Sequence, residues 1–182
     1  MEGVIRTRVG YAGGKTADPT YSRMGDHTET VQVDFDPDRI SYERLLDIFW
    51  KEHDPGSRMV SRQYMNAVFY HDDAQKQAAN RSKERLSAET GRVVRTSIVP
   101  VRTFTLAEDY HQKYTLGRNT DIMRRMRAIY PEMRDFVNST AAARLNGYLG
   151  GKGTRVQLDK EIRLLGLTEA GEKHLRRSVR LR

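Results

Sequence analysis

Side chains suited to acid chemistry and hydrogen bonding occur beside several predicted turns of this sequence. A carboxylic acid can donate a proton, and tyrosine hydroxyls and imidazoles can donate or accept hydrogen bonds. Spacing along the chain does not by itself bring these side chains together, and for each one a solvated or packing role stays open. The candidates are Tyr21, Glu29, Tyr64, Glu108, Asp109, His111 and Tyr114.

The composition excludes several other kinds of site. The chain has no cysteine, so it supplies no disulfide, no thiolate metal ligand and no cysteine nucleophile. Its five histidines lack the paired spacing of a zinc site, and we predict no bound metal or cofactor. With 37% hydrophobic and 31% charged residues, the 182 residues predict one ordinary folded domain with an appendage.

Positive charge is concentrated in the last third of the chain. Residues 1–116 hold 17 Lys and Arg against 17 Asp and Glu, whereas residues 117–182 hold 15 against 7. Such a surface could follow a phosphate backbone, but interleaved aromatic residues and a recognition motif are missing. A solvated basic face is therefore favoured over nucleic-acid binding.

Apolar periods near two and near 3.6 alternate over residues 3–100, which is typical of mixed strands and helices. Val31, Val33 and Phe35 predict a strand, and Ser41 is suited to cap the helix that follows it. We also predict strands at Val4–Val9, Ala67–Tyr70 and Val94–Ile98, a glycine loop at Gly10–Gly14, and a helix from Asp72–Asp73 to Gly91.

The region after Gly117 predicts helices only. Ile122, Met123, Met126 and Ile129 share one helical face. Three further helices have candidate caps at Ser139, Thr154 and Thr168, and Gly166 is a candidate stop for the second of them.

Five runs in this order resemble the peptide methionine sulfoxide reductase A family. They are GYAGGKTADPTY (Gly10–Tyr21), GDHTETVQVDFDP (Gly25–Pro37), ISYERLLDIFWKEHDP (Ile40–Pro55), RQYMNAVFY (Arg62–Tyr70) and AEDYHQKY (Ala107–Tyr114). The helical tail is similar to an extension carried by one branch of the family.

The resemblance implies an α/β fold, a two-layer α+β sandwich of a mixed sheet and helices with a ferredoxin-like core and an all-helical C-terminal extension. Residues 1–116 would form the reductase-like domain, and residues 117–182 a basic helical extension packed on it. The implied reaction is reduction of methionine S-sulfoxide, in proteins or free, for repair after oxidative stress. A thiolate attacks the sulfoxide sulfur, and thioredoxin or another thiol reductant then resets the enzyme.

By the same resemblance, Glu29 matches the family's acid, and Tyr21 and Tyr64 match its two oxygen-binding tyrosines. His111, Tyr114, Gly13 and Gly14 would support the pocket. An acid at position 29 must hold its proton near neutral pH, which burial between the tyrosines would favour.

The sequence departs from the family at two places. The nucleophile motif G-C-F-W-G, with its strand and helix, precedes in other members the segment that aligns with Gly3. The loop before Tyr64 is shorter than in other branches, and Met59 stands where those carry Asp. We therefore expect the chain as numbered to be inactive alone, with marginal stability or strand exchange where that strand is missing.

Three hypotheses follow from these departures. The first, which we favour, is a reductase whose coding sequence begins upstream of Met1. The second is a non-catalytic binder of oxidised methionine in peptides, and the third a basic nucleic-acid-binding accessory protein. The first residues lack a secretory signal, and no run approaches the length of a membrane span, so we expect a cytoplasmic location and no membrane partner.

Overall fold

Hydrogen-bonded strands form two small sheets in this computed structural model, which describes residues 1–59 and 61–181. The first sheet has the order β2-β1-β5, with β1 and β5 antiparallel, and the second pairs β3 with β4 in parallel. The strands are β1 (Val4–Ala12), β2 (Thr28–Phe35), β3 (Ala67–Tyr70), β4 (Ser97–Pro100) and β5 (Phe104–Leu106).

Helices make up most of the remaining regular structure, which confirms the predicted α/β class. Short 3₁₀ turns lie at Asp109–His111 and Ile162–Leu164. The helices are α1 (Tyr42–Lys51), α2 (Asp73–Thr90), α3 (Tyr114–Gly117), α4 (Thr120–Ile129), α5 (Met133–Asn138), α6 (Thr140–Leu149), α7 (Arg155–Glu161) and α8 (Glu169–Ser178).

The chain divides into two compact units. The α/β unit comprises Val9–Val31 and Asp36–Ala107, and the helical unit comprises Met1–Arg8, Gln32–Phe35 and Glu108–Arg182. A division into compact units does not test the predicted domain boundary after residue 116, which stays a prediction.

The core of the α/β unit lies where α1 and α2 meet the β3–β4 pair. Leu46 and Trp50, one turn apart on α1, are buried with Val68 of β3 and with Ala78 and Ala79 of α2. The Trp50 indole Nε1 donates a hydrogen bond of 3.1 Å to a buried serine hydroxyl on α2. This bond satisfies the one polar atom of the tryptophan inside the core.

The helical unit has a larger apolar core of its own. Its helices all contribute to one cluster, and many members have no solvent exposure. The helix-only prediction for this region is confirmed, including the shared face that buries Ile122 and Met126. The fully buried members are Leu116, Met126, Phe136, Ala142, Leu145, Leu158 and Leu175.

Local signals placed the helix ends correctly. Ser41, Ser139 and Thr154 each accept a hydrogen bond from a backbone N–H in the first helical turn, as N-caps do. Asp72 caps α2 in the same way, and Gly91 ends that helix with a φ of 65°. Each of these interactions spans only a few residues of sequence.

The prediction of a glycine loop at Gly10–Gly14 was wrong at its start, because β1 continues to Ala12. Gly10 pairs with Leu106, Tyr11 with Thr105 and Ala12 with Phe104. A Cβ on Gly10 would come within 2.5 Å of the Phe104 ring and closer still to the Thr105 carbonyl. Gly10 therefore permits two strands to approach closely rather than permitting a turn.

The predicted strand at Val94–Ile98 begins later than expected, at Ser97. Its partner β3 begins at Ala67, which pairs with Ser97, so the residues before Ser97 have no strand beside them to continue the ladder. The alternation of Val94 and Thr96 reflects burial of their side chains in an irregular segment. Strand β5 was not predicted, because three residues carry too little periodicity.

We expect Leu145→Ala to lower the free energy of unfolding by about 2 to 5 kcal/mol, because Leu145 is 0% exposed and its truncation leaves a cavity. Leu164→Ala is the matched control. Leu164 is 80% exposed, so the same truncation should change that free energy by less than about 0.5 kcal/mol. Urea denaturation measures both values, and equal losses would contradict this description of the core.

Candidate functional site

Tyr21 is presented on a tight turn of the α/β unit. Two backbone hydrogen bonds, of 3.3 and 3.1 Å, join Thr20 and Arg23 in both directions and close the turn around Tyr21 and its neighbour. The Tyr21 side chain is 44% exposed. The turn therefore holds a phenol hydroxyl at the protein surface.

Asp26 and His27 join the two ends of the loop that carries this turn by hydrogen bonds. The Asp26 carboxylate accepts hydrogen bonds from the backbone N–H groups of Lys15 and Thr16 and from the Thr16 hydroxyl, at 2.9 to 3.0 Å. These donors hold the pKa of Asp26 well below its usual range. The buried His27 ring accepts from the Gly14 N–H at 3.3 Å and lies 2.9 Å from the Thr16 carbonyl.

Gly13 and Gly14 were predicted to support the pocket. Both positions require glycine because of the backbone angle or the residues next to them. Gly13 has a φ of +81°, and a Cβ there would also come within 2.6 Å of the Phe69 ring. A Cβ on Gly14 would collide with the His27 ring and the Asp26 carboxylate. Contact of these glycines with a substrate stays a prediction.

Glu29 lies at the start of β2, where a second loop is bound to the strand. The Glu29 backbone N–H donates to the Gln63 carbonyl at 3.0 Å, and the hydroxyl of the preceding Thr28 donates to the Arg62 carbonyl at the same distance. The Arg62 guanidinium donates to the carbonyls of Gly13 and Asp26, at 3.3 and 3.2 Å. The two loops and β2 are thus joined into one arrangement.

Tyr21, Glu29 and Tyr64 are brought together by this arrangement. The side-chain amide of Gln63 donates to Glu29 Oε1 at 2.7 Å and to the Tyr64 hydroxyl at 3.0 Å. A hydrogen bond with Tyr21 is the largest cause of a raised pKa at Tyr64, with smaller contributions from desolvation and from the charge of Glu29. We call these four side chains the oxygen cluster. Gln63 was not among the candidates, although it directly precedes Tyr64 in one of the five runs.

The expectation that Glu29 is buried between tyrosines was wrong. Glu29 is exposed, and Tyr64 is 58% exposed. The Glu29 carboxyl accepts a hydrogen bond from the Gln63 amide at this exposed position. The cluster is therefore an open hydrogen-bonding surface rather than a closed pocket.

His111 and Tyr114 lie in the helical unit, on the segment between β5 and α4. His111 ends a 3₁₀ turn and has its ring centroid 4.2 Å from that of Tyr110. Tyr114 opens α3, is 61% exposed and has the Arg118 guanidinium 5.8 Å from its ring centroid. Their predicted support of the sulfoxide pocket stays a prediction.

Lys113, between these two residues, is the buried cation of the helical unit that sequence reasoning missed. It is 5% exposed, and its Nζ donates to the carbonyls of Thr7 and Val137. Desolvation, and to a lesser extent the charge of Arg8, lower its pKa from 10.5 to about 8. A lysine flanked by polar residues gave no sign that the fold would bury it.

Neither a metal-ligand cluster nor a membrane-spanning helix occurs among the described residues. No cluster of three or more His, Asp or Glu side chains that could hold a metal ion occurs at positions 1–59 and 61–181. Over the same part of the chain, the helices are too short or too polar to cross a membrane.

The oxygen cluster can act on a small hydrogen-bond acceptor. Two phenol hydroxyls and a carboxyl converge on one exposed place, where they can bind an oxygen atom and donate a proton to it. The chain lacks a thiol to attack an atom bonded to that oxygen. The cluster therefore offers groups that can donate hydrogen bonds and a proton, and the chain adds no cysteine nucleophile to them.

The family model for peptide methionine sulfoxide reductase matches residues 1–145. The chain belongs to the peptide methionine sulfoxide reductase family. The matched range contains all of the oxygen cluster and the segment with His111 and Tyr114. The resemblance stated from the five sequence runs is therefore confirmed.

Curated relatives and a solved structure agree with this assignment. A peptide methionine sulfoxide reductase of Drosophila melanogaster is 42% identical over 168 residues, which are 91% of this chain and 67% of the fly protein. Peptide methionine sulfoxide reductase A5 of Oryza sativa subsp. japonica is 40% identical over 154 residues, 81% of this chain and 60% of the rice protein. The reduced form of Mxr1 from Saccharomyces cerevisiae superimposes with a TM-score of 0.60 at 30% identity, over 65% of this chain and 73% of the yeast chain.

The chain spans only part of the length of such relatives, 67% of the fly protein and 60% of the rice protein. This partial coverage establishes membership in the family and does not by itself establish activity, substrate or partners.

The burial of Lys113 predicts a specific pH dependence. Because the pKa is about 8 in the folded chain and about 10.5 when unfolded, the unfolded state binds more protons between these values, and stability rises with pH there. We expect the free energy of unfolding of the wild type, minus that of Lys113→Met, to increase by about 2 kcal/mol from pH 8 to pH 10.

Denaturant titrations of both proteins at several pH values measure this difference. Groups that titrate equally in both proteins cancel. A difference that stays constant over the range would contradict the lowered pKa of Lys113.

Proposed function

We propose that this chain provides the sulfoxide-binding side of a peptide-methionine (S)-S-oxide reductase. The observation that supports it best is the convergence of Tyr21, Glu29 and Tyr64 through Gln63 in a member of this family. In the proposed role, Tyr21 and Tyr64 bind the sulfoxide oxygen and Glu29 protonates it. His111, Tyr114, Gly13 and Gly14 support the pocket.

The proposed reduction of methionine sulfoxide has two steps. A thiol attacks the sulfoxide sulfur, the S–O bond of the sulfoxide breaks and a new S–O bond to the thiol sulfur forms, so the products are a thioether and a sulfenic acid that carries the oxygen. A dithiol then reduces the sulfenic acid to the thiol, becomes a disulfide and releases water. Protonation of the oxygen by Glu29 assists the first step, because a neutral hydroxyl leaves sulfur more readily than an oxide.

The attacking thiol in this proposal comes from outside the 182 residues, because the chain has no cysteine. Thioredoxin or another dithiol is the proposed reductant, as in the family. Proteins that contain methionine sulfoxide, or free methionine sulfoxide, are the proposed substrates, and the cytoplasm is the proposed location.

The absence of cysteine also supports a second candidate, a non-catalytic binder of oxidised methionine in peptides. Both candidates need the same oxygen cluster, so both predict binding of a sulfoxide. They differ in whether methionine forms when the assayed gene product itself carries the attacking thiol. The basic tail alone does not favour the nucleic-acid alternative, because positive charge by itself supports only non-specific association.

We expect the wild-type chain to bind a short peptide with methionine S-sulfoxide at least about tenfold more tightly than the same peptide with methionine, because only the sulfoxide oxygen accepts hydrogen bonds from the cluster. Tyr21→Phe should remove most of this preference, since it deletes one donor. Tyr130→Phe, in the helical unit, is the matched control and should preserve it. Titration calorimetry measures the affinities, and equal binding of both peptides by the wild type would refute the proposal.

The two candidates separate in an activity assay. With dithiothreitol as the only thiol, the chain should form no methionine above the buffer rate, because it provides no sulfenic acid intermediate. The same assay is then repeated with the gene product that includes any residues encoded in frame before Met1. Turnover only in the second assay supports the reductase, and turnover in neither supports the binder. Turnover by the cysteine-free chain would contradict the mechanism.

A further inference from the structure

The Gln63 side chain lies at the centre of the oxygen cluster and contacts two of the proposed functional groups. Its Nε2 is 2.7 Å from Glu29 Oε1 and 3.0 Å from the Tyr64 hydroxyl oxygen. A primary amide nitrogen has two hydrogens and accepts no hydrogen bond. Both bonds therefore run outward from Gln63, and one amide group serves both partners with one hydrogen each.

The first consequence concerns Tyr64. Its oxygen accepts from Gln63, so its own hydrogen points away from the amide. The Gln63 side chain therefore restricts the orientation of this hydroxyl, which is also hydrogen-bonded with Tyr21.

The second consequence concerns Tyr21. Its hydroxyl is hydrogen-bonded with the Tyr64 hydroxyl that Gln63 holds, and Tyr21 is 44% exposed on its turn. Gln63 thereby acts on Tyr21 through Tyr64.

The third consequence concerns the two carboxyl oxygens of Glu29. Oε1 accepts from the Gln63 amide, so a proton on this carboxyl belongs on Oε2. Gln63 thus distinguishes two otherwise equivalent oxygens. It leaves Oε2 as the atom that donates a proton.

We propose that Gln63 is a positioning residue whose amide orients the Glu29 carboxyl and the Tyr64 hydroxyl, so that Glu29 Oε2 is the oxygen that presents a hydrogen to a sulfoxide oxygen bound beside the two tyrosines. The inference rests on the proposed function, since it explains how that site recognises an acceptor. It assigns to Gln63 no contact with the substrate.

A purely structural role of the Gln63 side chain is the alternative to exclude. The backbone of Gln63, not its side chain, accepts the bond from the Glu29 N–H that attaches the loop to β2. Arg62 holds the same loop through its guanidinium. Side-chain substitutions at position 63 therefore leave these attachments in place.

Two variants test the direction of the bonds. Gln63→Met keeps the length of the side chain and removes both donors. Gln63→Glu keeps the shape and replaces a donor by an acceptor. Gln77→Met, on the exposed face of α2, is the matched control for the loss of a glutamine.

We expect Gln63→Met to raise the Kd for the methionine S-sulfoxide peptide about tenfold, by the loss of orientation of two donors, while Gln77→Met leaves it unchanged. Gln63→Glu should raise it more at pH 8, because the new carboxylate cannot donate to Glu29 or Tyr64 and repels the Glu29 carboxyl. As the pH falls to 5, the new carboxyl takes up a proton and can donate again, so the Kd of this variant should return toward the wild-type value.

The groups that face the new carboxyl are Glu29, Tyr21 and Tyr64, with Arg62 in the same loop. Gln63→Met, which adds no titrating group, should follow the wild-type pH profile over this range. Recovery at low pH confined to Gln63→Glu is a readout that a merely structural role would not produce.

A measurement without ligand tests the bond to Tyr64 separately. With tyrosine labelled at Cζ, NMR titration should show a higher pKa for Tyr64 in Gln63→Met than in the wild type, because the amide donor lowers that pKa. An unchanged Tyr64 resonance and pKa would overturn the inference.

The failures of the two proposals can be told apart. If the wild type prefers the sulfoxide peptide and both Gln63 variants bind it with wild-type affinity at pH 8, the positioning role is wrong and the proposed function stands. If the wild type binds sulfoxide and thioether peptides equally, the proposed function is wrong, and the inference falls with it.

Discussion

The oxygen cluster depends on one backbone hydrogen bond, from the N–H of Glu29 to the carbonyl of Gln63. It fixes the loop that carries Gln63 and Tyr64 beside the first residues of β2, next to the loop that carries Tyr21. Because Tyr21, Glu29 and Tyr64 are themselves exposed, apolar burial does not fix these three side chains. The geometry of the loops depends also on hydrogen bonds that Thr28 and Arg62 donate and that Asp26 and His27 accept, each of which joins residues distant in sequence.

Under the proposed function, this arrangement separates the two halves of sulfoxide chemistry. The hydrogen-bonding half needs only polar groups held at fixed positions, and the oxygen cluster is proposed to supply it. The sulfur-attacking half needs a thiol, which these 182 residues do not contain. An open cluster around an exposed carboxyl is consistent with this division, because the sulfoxide and the thiol that attacks it must both reach the cluster.

Features that depend on neighbouring residues were predictable from the sequence. The caps at Ser41, Asp72 and Thr154 each act within three residues of sequence, so the pattern contains all of the relevant information. The extension of β1 to Ala12 depends on β5, and the late start of β4 depends on β3. No local pattern contains those pairings. For the same reason, Tyr21, Glu29 and Tyr64 were named from a family resemblance, and Gln63, whose role appears only in three dimensions, was missed.

A crystal structure of the chain with N-acetyl-methionine (S)-sulfoxide methylamide tests the central claim most directly. The account predicts the sulfoxide oxygen within about 3.2 Å of the Tyr21 hydroxyl and of Glu29 Oε2, with the Gln63 amide still on Oε1. A ligand bound elsewhere, or one whose oxygen faces solvent while Tyr21, Glu29 and Tyr64 make no bond to it, would contradict the account.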